Sequence, residues 1–149
     1  MRIRLIIHER IGRWAAQIRS RTVDLRVRLQ ETRSAEDLDS AASSSVCPII
    51  LISVENRPRV SLEHLHRARL IAPKALILVV NAPELPEFAT IARELGATHV
   101  LPRPALPPEV MFWIHRWLPL ARQRTEASGW SEERRPEPEP WEALLATPS

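Results

Sequence analysis

The sequence predicts an α/β domain with a five-stranded, doubly wound parallel sheet in the order 2-1-3-4-5. Three observations predict it. Stretches with strand patterning alternate five times with stretches of helical spacing across residues 1–126. Two of the strand stretches, Pro48–Val54 and Ala75–Asn81, are continuous apolar runs rich in Val and Ile, as strands buried on both faces are. A third, Asp24–Glu31, alternates Leu25, Val27 and Leu29 with Arg26, Arg28 and Gln30, which suits a half-exposed edge. Parallel neighbours joined by right-handed crossovers then place the apolar runs centrally and the alternating strand outside.

Each element has its own signal. Arg2–Glu9 begins by alternating and becomes continuously apolar, so it reads as the first strand. Ile11, Trp14, Ala15 and Ile18 recur at three and four, giving a helix over Arg10–Arg21 with those four on its buried face. After the edge strand, Ser34 followed by Glu36 and Asp37 starts a short helix, Ala35–Ser43. Asn56–Arg59 reads as a loop, and Ser61 as the cap of a helix running to Leu70. On that helix Leu62, Leu65 and Leu70 face inward and Glu63, His64 and Arg67 outward, and Ala72-Pro73 stops it. Pro83–Pro86 opens the helix Glu87–Leu95, and Gly96 closes it. Ala97–Leu101 is the fifth strand. Pro107 and Pro108 start the last helix, which Pro119 should kink or end, with a shorter continuation to Glu126. From residue 127 onward prolines and glutamates dominate, which reads as a disordered tail carrying Trp130 and a Trp141-Glu-Ala-Leu-Leu patch.

Composition narrows the function classes. Of 149 residues 44% are hydrophobic and 26% charged, enough apolar material for one core. No apolar run approaches the roughly 18 residues of a membrane span. The uncharged run Leu5–Ile7 is too short for a signal-peptide core, and single Cys47 offers no internal disulfide, so a cytoplasmic location is expected. Charge is uneven. Residues 1–33 carry nine arginines against three acidic residues, and residues 126–149 carry six glutamates against two arginines. The two ends could attract each other or meet separate partners. The arginines fall on several elements, and no helix-turn-helix or zinc module follows, so an Arg-rich nucleic-acid-associated regulator is the alternative reading.

The second half resembles the receiver domain of bacterial response regulators, a flavodoxin-like fold. The stretch SLEHLHRARLIAPKALILVVNAPE is similar to that family's third helix and fourth strand. FATIARELGATHVLPRP is similar to its fourth helix, Gly-Ala turn and fifth strand ending in a Lys-Pro pair, here Arg103-Pro104. The resemblance implies a phosphorylation site of five positions. Two acidic residues hold Mg²⁺ beside a phosphorylated Asp, and a Thr or Ser and a Lys contact the phosphoryl group. On this chain those positions fall on His8, Glu9, Ser53, Asn81 and Arg103. A single carboxylate is too little for a hard cation, a serine cannot form an acyl phosphate, and arginine does not replace lysine simply. No Asp lies beyond Asp39. A degenerate pseudo-receiver is therefore expected.

Other chemistry is also excluded. Three glycines cannot build a phosphate loop or a dinucleotide fingerprint, and no cofactor is expected. His64 and His66, two apart on a helix, are a poor metal pair, so no metal is expected. Ser53 lacks a nucleophile elbow, and no enzyme activity is expected. Binding remains. The strand-end mouth offers a Glu9–Arg103 ion pair that locks one state, or recognition of a small anion by Arg103 and Asn81, which makes an anion sensor the second alternative. The last helix offers Val110, Trp113, Ile114 and Trp117 to the sheet and leaves Met111, Phe112, His115 and Leu118 on its sides. That is more apolar surface than one amphipathic helix needs. Met111, Phe112, Trp113, His115 and Trp117 are the candidate protein interface, a homodimer the simplest case. The resemblance agrees, since receiver domains commonly pair through their last two helices and fifth strand.

Overall fold

The computed structural model describes residues 2–129. The chain forms β1 (Ile3–His8), α1 (Arg13–Arg21), β2 (Val27–Thr32), α2 (Ala35–Ala42) and β3 (Ile49–Ser53). It continues through α3 (Pro58–Ile71), β4 (Leu76–Ala82), α4 (Pro86–Leu95), β5 (His99–Pro102) and α5 (Pro107–Ala127). The five strands pair in parallel in the order β2-β1-β3-β4-β5, as the sequence predicts. The tail from residue 130 lies outside the described residues.

Side-chain alternation sorts the continuous apolar strands into two cores. Ile3, Leu5, Ile7, Ile49, Leu51, Leu76, Leu78 and Val80 pack under α1 and α5. Ile6, Ile50, Ile52, Ile77 and Val79 pack under α2, α3 and α4. The polar-alternating β2 takes the edge beside β1. The strand order reverses between β1 and β3, and in such sheets the crevice at the carboxyl ends beside that switch point is where ligands bind.

Strands β2 and β5 begin at Val27 and His99, later than the sequence reading placed them, and three helices also differ from it. Helix α1 begins at Arg13, because Gly12 takes a left-handed conformation (φ 72°) and turns the chain just before it; Ile11 is left outside and 69% exposed. Helix α3 begins at Pro58 rather than at a Ser61 cap, since the fixed φ of proline suits the first helical position. Leu65 and Ala68 form its buried face, and Leu70 is 67% exposed. Helix α5 runs unbroken through Pro119. Pro119 and His115, whose carbonyl loses its helical partner, are both on the exposed face where water takes over. Burial of Leu118, Ala121 and Thr125 holds the following turns to the domain.

Beyond the shared core, one polar side chain ties the β4–α4–β5 unit to α3. Arg69 Nε and Nη2 donate to the Gly96 carbonyl at 3.1 and 2.7 Å, and Nη1 donates to the carbonyls of Pro73 and Ala75 at 2.9 and 2.7 Å. A Cβ on Gly96 would stand 2.6 Å from Arg69 Cγ, so only glycine allows this approach. Arg69→Ala leaves these carbonyls to solvent and is expected to lower stability by about 2 kcal/mol in urea unfolding, with no change of slope.

Candidate functional site

The five predicted positions sit at the carboxyl ends of the strands, but they do different work. Glu9 follows β1 and is buried at 5% exposure. Its Oε1 accepts from Trp14 N at 2.8 Å and its Oε2 from Ala15 N at 2.7 Å. Gly12, the cap residue of α1, has no side chain, so Glu9 caps the helix from outside it. This corrects the expected Glu9–Arg103 pair: among the described residues no such ion pair forms, because both carboxylate oxygens are engaged by backbone. Arg103 lies just past β5, exposed, and its backbone N donates to the Ala82 carbonyl at 3.0 Å. The Arg103–Pro104 peptide is cis.

Asn81 is the positive-φ non-glycine residue of β4 (φ 58°). Its Oδ1 accepts from Ala105 N at 2.9 Å and holds the β5–α5 loop in place. Asn81 lines the cleft over α1, which Arg103 does not reach. Ser53 ends β3, half-buried, and opens onto two adjoining clefts.

His8 closes β1 and is 5% exposed. Its Nδ1 lies 2.8 Å from Thr32 Oγ1 and its Nε2 lies 2.9 Å from His64 Nδ1. The two imidazoles meet nearly edge-on, with centroids 4.9 Å apart. Burial pushes the His8 pKa down to about 4; the neighbouring His64 lowers it further and Asp37 opposes. His8 is thus a neutral ring at pH 7, acting as donor on one nitrogen and acceptor on the other. His64, read from sequence as outward-facing, is its partner. The β1–β2 register sets His8 beside Thr32, a contact legible once the two strands are aligned. The His64 contact spans two elements with no local signal.

These surroundings do not fit the Mg²⁺ that the resemblance implies. Glu9 is committed to α1, and His8 and Ser53 supply no carboxylate. Among the described residues no three His, Cys, Asp or Glu side chains are grouped to hold a metal ion. Cys47 is buried, its thiol donates to the Lys74 carbonyl at 3.1 Å, and burial raises its pKa.

The cleft nearest α3 has a volume of about 290 Å³ and is lined by His8, Arg10, Arg33, Arg57, Ser61 and His64 among others. The second, about 480 Å³, lies over α1 and reaches Trp14 and Asn81. Arg103 lines neither.

The last helix is also partly corrected. Met111 and Trp117, expected at an interface, are 6% and 5% exposed and belong to the core under α5. Phe112, Trp113 and His115 remain at the surface. Trp113 stacks on His99 of β5 at 3.8 Å between centroids, Phe112 meets Trp113 edge-on at 5.3 Å, and the Arg116 guanidinium lies 5.8 Å from the Trp113 ring. Leu85, Ile91, Leu106 and Phe112 are among the eight large hydrophobic residues left exposed in the described chain, and all four lie on α4, α5 or their caps.

No family model matches the sequence, and no curated protein matches it. Solved structures do share its fold. A response regulator receiver domain from Methanospirillum hungatei superposes with a TM-score of 0.70 at 13% identity, over 83% of this chain and 98% of that one. A Burkholderia pseudomallei response regulator with a phosphorylated aspartic acid gives 0.63 at 15% identity over 73% of this chain. This chain spans 64% of that regulator's length. A Rhodopirellula baltica structure described as an adenylate cyclase gives 0.69 at 13% identity, over 99% and 100% of the two chains. The chain thus has the flavodoxin-like fold of receiver domains. Among the described residues no helix is long and apolar enough to cross a membrane.

Proposed function

We propose that this chain is a degenerate receiver: a phosphorylation-independent, non-enzymatic interaction module of bacterial signalling that acts in the cytoplasm. One observation carries the reading. The position that an acyl phosphate would need is Ser53, and Glu9, the carboxylate beside it, is held in the first turn of α1 by two backbone N–H groups. A domain of this fold without an acceptor or a cation site is left with its surfaces. The face built from α4, β5 and α5 has the composition of an interface: Phe112 packs edge-on against the His99–Trp113 stack, and Ile91 of α4 and Leu106 at the start of α5 are exposed. The occupant we assign to it is a second copy of this chain, paired about a two-fold axis.

Light scattering after size exclusion on the full chain tests this. The expected result is a dimer that Phe112→Glu dissociates by at least about tenfold in Kd, since a buried unpaired carboxylate is costly at a packed centre. Phe112 is 56% exposed, so the fold survives the change, which circular dichroism checks. A monomer at every concentration, or a dimer indifferent to Phe112→Glu, refutes the assignment. Incubation with acetyl phosphate and Mg²⁺ should add no phosphoryl group by intact-mass measurement.

A further inference from the structure

We propose that the cleft between the ends of β1 and β3 and the first turn of α3 binds a small phosphomonoester. The argument begins with topology. Arg10, Arg33 and Arg57 each follow a strand, β1, β2 and β3 in turn, so all three stand at the same end of the sheet. The order β2-β1-β3 makes those strands neighbours, and the three side chains line one cleft of about 290 Å³. That volume lies at the small end of ligand sites.

The cleft's two carboxylates both accept from backbone, Glu9 through both oxygens and Glu55 through one. Glu9 accepts from Trp14 N and Ala15 N, and Glu55 Oε1 accepts from Arg10 N at 2.9 Å. Arg33 uses Nη1 on the Arg10 carbonyl at 3.3 Å and keeps its other donors. Three arginines from three loops lining one cleft give it a positive lining, which suits a tetrahedral dianion with several equivalent oxygens better than a singly charged planar carboxylate. Ser61 and His64 add a hydroxyl and an imidazole on the α3 side. His64 Nδ1 is engaged by His8 Nε2 at 2.9 Å, so only its other ring nitrogen is left for a ligand. Helix α3 begins at Pro58, just after Arg57, with no side-chain cap, so its positive end adds to the same field. Ser53, Glu55 and Asn56 also line the cleft, and these groups suit the hydroxyls of an organic body rather than a second phosphate. The site lies on the β2–β1–β3 half of the mouth, away from Arg103.

The test is an NMR titration of the ¹⁵N-labelled full chain at fixed ionic strength with glycerol 3-phosphate, inorganic phosphate, sulfate and chloride. Expected are saturable shifts at the amides of Arg10, Arg57 and Ser61 with glycerol 3-phosphate. Arg33→Ala and Arg57→Ala should each weaken it about tenfold, while Arg103→Ala leaves it unchanged. Arg33 and Arg57 are exposed, and an unaltered spectrum elsewhere confirms that the variants fold. Glycerol 3-phosphate shifts no larger than those of chloride overturn the site. Equal affinity for inorganic phosphate and glycerol 3-phosphate overturns the ester and leaves free phosphate as the ligand. Wild-type affinity in the Arg33→Ala, Arg57→Ala double variant overturns the assigned residues.

Discussion

Glu9→Ala is expected to lower the unfolding free energy by about 3 kcal/mol, while Arg103→Ala changes it by less than about 0.5 kcal/mol. The contrast follows from where each side chain is anchored. Glu9 is buried and accepts two short bonds, 2.8 and 2.7 Å, from consecutive amides of α1. Hydrogen bonds to a charged acceptor contribute about 1.5–3 kcal/mol each, and two on one carboxylate are less than additive. Alanine strands both N–H groups beside buried Trp14 and Ala15, where water replaces the carboxylate poorly. Glu9→Gln keeps one acceptor oxygen and should lose about half as much. Urea unfolding of the three variants measures all of this. A Glu9→Ala loss below about 1 kcal/mol would show that α1 does not depend on its external cap.

Acid is expected to remove about 3 kcal/mol of stability between pH 6.5 and pH 4, and His8 is its source. In the unfolded chain His8 titrates near 6.5, and in the folded chain its pKa is lowered to about 4. Between those values the unfolded state binds more protons, so stability rises with pH through the window. It is complete above 6.5 and falls as the solution is acidified. Protonating His8 costs desolvation first, and it also turns both ring nitrogens into donors, one of them facing His64. Unfolding free energies at pH 7.5, 6, 5 and 4.5 trace the slope. In His8→Gln, which cannot take the proton, the slope over this range should flatten; an unchanged slope would assign the acid sensitivity to other groups.

Much of the fold is legible because it rests on short-range patterning. Continuous runs such as Ile49–Ser53 and Leu76–Ala82 declare a two-sided sheet, and the alternation in β2 declares its edge. The two helices that begin elsewhere than expected, α1 and α3, do so at single backbone residues, Gly12 and Pro58, whose conformational limits outweigh the apolar period around them. The site is less legible because its contacts run between segments. The sequence reading pairs Glu9 with Arg103 because the Gly12 turn that folds α1 back onto it leaves no mark in a hydrophobic pattern. His64 sits on the polar side of a helical projection, yet that side borders the mouth where β1 ends. For α5 the sequence counted apolar residues correctly but not the width of the stripe that one sheet face absorbs. Met111 and Trp117 went to the core, and Phe112 stayed outside.

The two borders of the sheet also limit how the molecule can polymerise. A parallel sheet with a bare margin invites another chain to add a strand and continue without end. Here β2 carries Arg28 and Glu31 on its exposed positions, and β5 is four residues long with the His99–Trp113 stack beside it. Neither margin offers a long flat template, so strand-by-strand growth has no starting point. The two-fold pairing proposed for the α4–β5–α5 face closes at two copies, and crowding of this protein should then yield discrete dimers in place of fibres.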